Sequence, residues 1–307
     1  MAADEADLAA TGRSPSAEAD PLSPSRLAAL FAEVDRGVLS APVALMRLLI
    51  AAEDVEVVAA AVAPHDALRA LLAANRAGCA RICAMLASGV DSSAPAVTID
   101  AGLAFARRLF DYSVAASAES SVALYSLGNP ELLAAATDEV VRLLERWQLV
   151  HTRQRCLQIG CGIGRFEAAL ASRVAEARGI DLAPKMIDEA RRRCAGLANV
   201  AFELTDGRDL SRFAAARFEL VYAVDSFPYL VQAGEELVAV HFAEVARVLT
   251  PGGAFVILNY SYRDDLDADR RDIARLAAAH DFTVAVDGQR LLRLWDGVAW
   301  RLCKRGG

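Results

Sequence analysis

The sequence predicts an α/β fold: a doubly wound, mostly parallel seven-stranded sheet with antiparallel carboxy-terminal strands, preceded by an all-helical amino-terminal region. Three observations indicate this fold. Helical periodicity alone fills the first half of the chain, strand-like and helical runs alternate from residue 155 onward, and Asp-Gly dipeptides separate strand-like runs near the end. Such alternation is typical of a parallel sheet covered by helices, whereas Asp-Gly pairs indicate a hairpin.

The first half of the chain divides into a tail and a helical module. Residues 1–24 are rich in Ala, Ser, Pro and acidic residues without periodicity, so we expect a disordered tail. Residues 25–100 are predicted to form a helical module, because segments such as APVALMRLLIAAE carry apolar residues at three- and four-residue spacing. Residues 101–307 are predicted to be the main domain with leading helices, one of them opened by Asn129 as N-cap and Pro130 in its first turn.

Composition excludes several classes of protein. The 307 residues are 55% hydrophobic and 24% charged, which is typical of a globular chain. The formal net charge of -7 argues against charge-driven binding to nucleic acid or anionic membrane and favours a small-molecule partner. The cysteines show no metal-ligand spacing, so no metal is expected.

The start lacks the features of a secretory signal, and no stretch reaches the roughly 18 apolar residues of a spanning helix. We therefore expect a cytoplasmic protein.

The second half of the chain carries the predicted sheet. Its first five strand-like runs are RCLQIG, ARGIDL, NVAFELT, FELVYAVD and GGAFVILNY. Helical runs lie near residues 164–175, 184–195, 232–249 and 266–280. The terminal segment DFTVAVDGQRLLRLWDGVAWRLCKR should add the antiparallel strands.

A glycine cluster follows the first strand-like run, in the sequence RCLQIGCGIGRFEAALASR from residue 155. A nucleotide-phosphate loop needs GxxxxGK[ST], and this lysine is missing. A dinucleotide fingerprint needs GxGxxG, whereas Gly160, Gly162 and Gly164 form GxGxG and Arg165 stands where the third glycine would be. The remaining alternative is a ligand that lies against the backbone without a phosphate.

This arrangement resembles motif I of the class I S-adenosylmethionine-dependent methyltransferases, and the resemblance extends over about residues 155–262. GIDLAP resembles the end of the second strand of that family, and TDGRDL resembles the loop after the third. FELVYAVDSFPYL resembles the fourth strand and its exit loop, and VARVLTPGGAFVILNY resembles the helix, Pro-Gly-Gly turn and fifth strand. Four segments in the family's order imply S-adenosylmethionine as cofactor.

The resemblance implies roles for individual residues. Asp181 would accept hydrogen bonds from both ribose hydroxyls, Asp206 would receive the adenine amino group, and Gly207 would let the backbone approach the ring. Gln158 departs from the family, which usually has Asp or Glu there, because a glutamine has no charge to pair with the cofactor's ammonium. The cofactor-binding residues expected from the resemblance are Tyr125, Gln158, Gly160, Cys161, Gly162, Gly164, Asp181, Leu182, Met186, Asp206, Gly207 and Asp225.

No catalytic residue is obligatory, because a sulfonium methyl is already activated and the protein mainly aligns the nucleophile and excludes water. The catalytic residue is therefore unknown, and the candidates are His241, Tyr229 and Tyr260. His241 lies in an apolar helical stripe, which favours a packing role. Further candidates for the acceptor site are Asp225, Asn259 and Tyr262, which follow the carboxyl ends of strands. An upstream segment resembles the segment that closes over the cofactor in the family, and it contributes Phe110, Tyr112 and Tyr125. A packing role is equally open for these three aromatic residues.

The predicted function is methyl transfer from S-adenosylmethionine to a small-molecule acceptor. Oxygen is favoured over nitrogen because VDSFPYL stands where amino-group methyltransferases carry Asn/Asp-Pro-Pro-aromatic. The alternative is a non-catalytic S-adenosylmethionine-binding regulatory or interaction protein, which Gln158 and the helical module would fit. Residues 25–89 bury too little surface to be stable alone, so we expect them to cap the acceptor pocket or, as the alternative, to form a homodimer surface.

Overall fold

The computed structural model describes residues 21–87 and 98–306. Residues 1–20 of the predicted tail lie outside these ranges, and the first helix begins at Pro24. Within the described ranges no single helix is both long and apolar enough to cross a bilayer; Asp66–Ala74 and Arg76–Ala87 meet that criterion only as a pair, and the pair is bent by 82°.

Helices fill the first half of the chain and alternate with strands in the second. Asn129 caps its helix as predicted, because its side-chain oxygen accepts hydrogen bonds from the backbone N–H groups of Glu131 and Leu132. The helices are α1 (Pro24–Asp35), α2 (Ala41–Ala52), α3 (Val55–Val62), α4 (Asp66–Ala74), α5 (Arg76–Ala87), α6 (Ile99–Ala116), α7 (Ala118–Val122), α8 (Pro130–Arg146), α9 (Arg165–Leu170), α10 (Pro184–Arg193), α11 (Phe227–Ala233), α12 (Glu235–Val248) and α13 (Leu266–Ala279), with a 3₁₀ turn at Leu124–Ser126.

The strands form one mixed sheet in the order β3-β2-β1-β4-β5-β7-β6. The first five are parallel, and β7 pairs antiparallel with both β5 and β6. The predicted fold class is therefore confirmed. The strands are β1 (Arg155–Ile159), β2 (Glu176–Asp181), β3 (Val200–Leu204), β4 (Phe218–Val224), β5 (Leu249–Leu258), β6 (Phe282–Arg290) and β7 (Val298–Lys304).

Two local features differ from the sequence prediction. The first Asp-Gly pair is not a hairpin turn: Gly288 lies inside β6, where its φ of +60° coincides with a register shift against β7. The chain reverses later, over residues 291–297, which contain the second pair. The segment after β4, predicted to be an exit loop, forms the short helix α11. A Pro in the first turn and a brief apolar run occur in loops as well, so the sequence did not indicate this helix.

Successive side chains of the central strands point alternately into two apolar cores, one on each face of the sheet. Cys156 of β1 belongs to a core that also includes Leu45 and Leu49 of α2, whereas the next residue, Leu157, belongs to the core that contains Phe242 of α12. The amino-terminal helices therefore share a continuous core with the sheet. Helices α2 to α5 bury apolar residues in this core, whereas no residue of α1 is fully buried.

Candidate functional site

A cavity of about 540 Å³ opens at the carboxyl ends of the parallel strands. This volume lies within the roughly 300–1,000 Å³ typical of small-molecule sites. The floor is formed by the chain that leaves β1, β2 and β4, and helices α2, α6 and α7 contribute walls. The topology explains the location, because the sheet order reverses direction next to β1, which is where open α/β sheets bind ligands.

Side chains pack closely against the glycine loop after β1 at two of its glycines. Gly162 has a φ of +53°, and a Cβ atom at this position would lie 2.6 Å from Val122 Cγ1. Gly164 has a φ of +72°, and its Cβ atom would lie 2.6 Å from the Phe202 ring. Both positions therefore require glycine for backbone conformation and for space. Gly162 lies against the cavity, whereas Gly164 packs the loop onto β3.

Asp181, the last residue of β2, holds this loop in place. Its Oδ2 accepts a hydrogen bond from Gly162 N at 2.9 Å, and its Oδ1 accepts one from Ala183 N at 2.9 Å. Burial raises the pKa of Asp181 to about 6, although the backbone donors favour the ionised form. A carboxylate has about four acceptor positions, so both oxygens keep capacity for a ligand in the cavity.

Gln158 lines the cavity, and a fully buried carboxylate lies directly behind it. The hydrogen-bond network assigns the Gln158 amide nitrogen towards Glu167, where it donates to Oε1 at 2.8 Å and to Oε2 at 3.3 Å. The Tyr222 hydroxyl also donates to Glu167. Burial raises the pKa of Glu167 from 4.5 to about 8, which the hydrogen bonds only partly oppose.

A second carboxylate reaches the cavity from the end of β4. Asp225 has a φ of +56°, and its Oδ1 accepts hydrogen bonds from Asn259 Nδ2 at 2.8 Å and from the Tyr262 hydroxyl at 3.0 Å. Burial raises the pKa of Asp225. Because both neighbours use Oδ1, Oδ2 is the oxygen with acceptor capacity left for a molecule in the cavity.

Aromatic rings and the amino-terminal module complete the walls around Asp225. The Tyr229 ring contacts Phe110 and Tyr262 edge-on, with centroids at 4.9 and 5.8 Å. Tyr125 stacks on Trp295 with centroids 5.8 Å apart. From α2 the side chains of Met46, Arg47 and Ile50 also line the cavity, and Arg47 Nη2 lies 2.6 Å from Asp296 Oδ2.

The structure brings most of the predicted site residues together at this cavity and leaves some outside it. Tyr260 packs between Phe227 and Trp300 in the core, and Tyr112 is 41% exposed. Asp206 is exposed and its Oδ1 accepts a hydrogen bond from Arg208 N at 3.0 Å. The predicted residues that line the cavity are Phe110, Tyr125, Gln158, Gly160, Cys161, Gly162, Asp181, Leu182, Met186, Gly207, Asp225, Tyr229, His241, Asn259 and Tyr262.

His241 borders the cavity from α12 but is engaged by its own helix. Its Nδ1 lies 2.9 Å from the carbonyl oxygen of Leu237, and the residue is 2% exposed. Burial lowers the pKa of His241, which keeps the imidazole neutral. This environment agrees with the packing role that the apolar stripe indicates.

Two charged residues of α9 were not singled out from the sequence. Arg165 is 7% exposed, lies over the Phe166 ring at 4.4 Å and donates to the Tyr125 hydroxyl, so it borders the cavity as well. Glu167 is 0% exposed. A usable signal existed for Glu167: it lies three residues before Leu170, on the apolar face of a helix that must pack on the sheet.

Comparisons with known proteins agree with this geometry. Residues 156–253 match the family described as methyltransferase domain. The chain is 26% identical over 144 residues to the sterol 4-C-methyltransferase strm-1 of Caenorhabditis elegans, covering 46% of this chain and 40% of that protein. It is 31% identical over 153 residues to the demethylmenaquinone methyltransferase of Clavibacter sepedonicus, covering 50% and 57%. The chain thus spans about half the length of these curated relatives.

A solved structure shares the fold over a larger part of the chain. Haemonchus contortus phosphoethanolamine N-methyltransferase 1, in complex with phosphoethanolamine and S-adenosylhomocysteine, superposes with a TM-score of 0.56 at 16% identity. The match covers 69% of this chain and 50% of that one.

The fold and the site together define a class of protein. The strand order, the glycine loop after β1, the carboxylate at the end of β2 and the matched segment are those of a Rossmann-like methyltransferase domain. The segment 156–253 matches the methyltransferase-domain family, which confirms the resemblance to class I S-adenosylmethionine-dependent methyltransferases that the motifs indicate.

Proposed function

We propose that this protein is an enzyme that binds S-adenosylmethionine and transfers its methyl group to a small-molecule acceptor, with oxygen as the acceptor atom. The observation that carries the proposal is the single cavity that joins the glycine loop and Asp181 to the carboxylate of Asp225. Helices of the amino-terminal half wall this cavity, which favours an acceptor small enough to enter it.

The cofactor would lie along the carboxyl ends of β1, β2 and β3. Asp181 would use its remaining acceptor capacity for the ribose hydroxyls, and the backbone at Gly207 would lie against the adenine. Asp206 as the partner of the adenine amino group stays a prediction; Asp209 borders the cavity from the same loop. The loop from Gly160 to Gly162 and the amide of Gln158 would hold the methionine part.

Asp225 would act on the acceptor side as a general base. The acceptor oxygen attacks the methyl carbon, the carbon–sulfur bond breaks with its electron pair going to sulfur, and the hydroxyl proton passes to Asp225 Oδ2. The raised pKa of Asp225 makes this carboxylate a better base than an exposed one, and Asn259 and Tyr262 fix its orientation through Oδ1.

The amino-terminal helices would act as a cap over the acceptor. Side chains of α2 line the cavity, and the same helix donates from Ser40 Oγ, just before its first turn, to the carbonyl oxygen of Leu294 at 2.9 Å. These contacts attach the module to residues 291–297, which carry Trp295 into the wall. We therefore prefer the cap to the homodimer surface.

Binding and turnover test the proposal separately. Calorimetry should show that the protein binds S-adenosylhomocysteine, and radiolabelled cofactor should transfer label to the small-molecule fraction of a cell extract. Asp225→Asn should lower the rate of transfer by roughly 10²- to 10⁴-fold while changing S-adenosylhomocysteine affinity less than about threefold. Tight binding without transfer of label to any fraction would support the non-catalytic alternative, and label in protein or nucleic acid would overturn the small-molecule acceptor.

A further inference from the structure

Glu167 is a buried carboxylate that faces neutral donors rather than a cation. Within the described ranges it forms no ion pair, and its hydrogen bonds come from a backbone N–H group, the Gln158 amide and the Tyr222 hydroxyl. These groups donate, so they are arranged for the ionised carboxylate. Burial favours the neutral acid, and Arg165 is the nearby positive charge that favours ionisation. The charge of Glu167 is therefore only partly compensated.

Gln158 connects this carboxylate to the cavity. Gln158 lines the cavity and Glu167 does not, so the amide lies between them. With its nitrogen on Glu167, the amide presents its oxygen to the glycine loop, at the place from which the amide nitrogen in the opposite orientation donates to the carbonyl oxygen of Gly160 at 3.4 Å. Two acceptor oxygens that converge in front of a buried carboxylate form a site for a positively charged donor such as an ammonium.

We propose that Glu167 supplies the negative charge for the ammonium of the cofactor's methionine part and acts through Gln158 as a positioning residue. The family usually has a carboxylate at position 158; here the amide stands at that position and the carboxylate lies one layer behind it, in the first turn of α9. This inference rests on the proposed function, because it requires the methionine part to lie along the glycine loop.

Two ligands that differ only in the amino-acid part separate this role from a structural one. S-Adenosylhomocysteine carries the ammonium, and 5′-methylthioadenosine lacks the whole amino-acid end. Calorimetry at pH 9, above the pKa of about 8 of Glu167, should show that Glu167→Gln weakens S-adenosylhomocysteine binding roughly tenfold to hundredfold, as expected for loss of a charge-assisted interaction. The same variant should bind 5′-methylthioadenosine within about threefold of the wild type.

Two further variants keep the inference testable if Glu167→Gln folds poorly. Gln158→Met removes the connecting amide at similar volume and should produce the same selective loss. The double variant Gln158→Glu/Glu167→Gln moves the carboxylate to the usual position and should restore S-adenosylhomocysteine affinity to within about threefold of the wild type. Gln158→Glu alone places two carboxylates in contact and should not tighten binding.

The outcomes are distinct. Equal weakening of both ligands by Glu167→Gln, or no weakening of either, overturns the inference and leaves the proposed function standing. Failure of the wild type to bind either ligand overturns the proposed function itself. A double variant that binds S-adenosylhomocysteine no better than Glu167→Gln shows that the position of the charge is irrelevant and also overturns the inference.

Discussion

Replacing Glu167 by glutamine should stabilise the ligand-free protein at alkaline pH. Glu167 has a pKa of about 8 in the folded chain against an ordinary value of 4.5, because burial disfavours its charge. The folded state therefore holds the proton more tightly than the unfolded state, and the stability that this group contributes is complete below pH 4.5. It is lost progressively as pH rises from 4.5 to about 8. Glutamine has nearly the same shape and does not titrate.

The size of the effect follows from that interval. At about 1.4 kcal/mol per pH unit, the unfolding free energy of the wild type should fall relative to that of Glu167→Gln by roughly 3 to 5 kcal/mol between pH 4.5 and pH 8. For a chain of this size the difference in melting temperature should widen by roughly 5 to 8 °C across the interval. Scanning calorimetry or thermal unfolding followed by circular dichroism, from pH 5 to pH 9, measures it.

Other groups around Glu167 do not produce the same difference. Burial raises the pKa of Asp181 to about 6, but this carboxyl is present in both proteins and its contribution largely cancels. The neighbouring thiols and the Tyr222 hydroxyl have pKa values raised by burial, so they stay neutral over most of the range. The titratable or charged groups that face Glu167 are Cys156 of β1, Asp181 of β2, Tyr222 of β4, Cys161 of the glycine loop, Cys194 after α10 and Arg165 of α9.

A difference in melting temperature that stays constant from pH 5 to pH 9 would refute this reasoning, because it would mean that Glu167 titrates alike in the folded and unfolded states. Glu236→Gln makes the same chemical change on the exposed side of α12 and serves as the matched control. Its melting temperature should follow that of the wild type within about 1 °C at every pH.

Three further changes test the cofactor side and the module. Calorimetry should show that Asp181→Ala weakens S-adenosylhomocysteine binding by roughly 1.5 to 3 kcal/mol, because the ribose and the glycine loop both lose a charged acceptor. Asp206→Ala should weaken binding less. Equal effects of the two variants would remove the assignment of Asp181 to the ribose. Gly162→Ala should lower both stability and affinity, because its methyl group would press on Val122, while Gly37→Ala, also at positive φ but with no atom within 4 Å of its Cβ, should lower stability alone. Deleting residues 1–87 exposes the core shared with the sheet and should give insoluble protein, so a soluble, active monomer on light scattering would show that the module is dispensable.

The sequence predicts the sheet well because its signals are local. Apolar runs, the Pro-Gly-Gly turn and the glycine cluster each specify backbone conformation within a few residues, and parallel strands then bring their carboxyl ends to one edge. Asp181, Gly162 and Asp225 could be placed at the cavity for this reason. Each of them directly follows or ends a strand.

Other features of the site depend on contacts between distant segments, and the sequence does not specify those. Tyr260 follows β5 just as Asn259 does, yet its ring turns into the core while Asn259 turns to Asp225. The side chains that α2 contributes are separated from the glycine loop by more than a hundred residues. Periodicity shows that the apolar face of α2 must be buried, but it does not show against which surface.

Glu167 bears both on the ligand that the glycine loop binds and on the absence of an acidic residue at position 158. A fully buried carboxylate in a ligand-free site destabilises the folded chain at neutral and alkaline pH. Its neighbours within the described ranges donate hydrogen bonds to it, but none of them forms a direct ion pair with it. A cationic ligand in front of Gln158 would relieve that unfavourable charge. The feature that lowers stability without ligand would then raise affinity for one, so loss of affinity in Glu167→Gln should accompany a gain in stability. A residue with a purely structural role would lose both together.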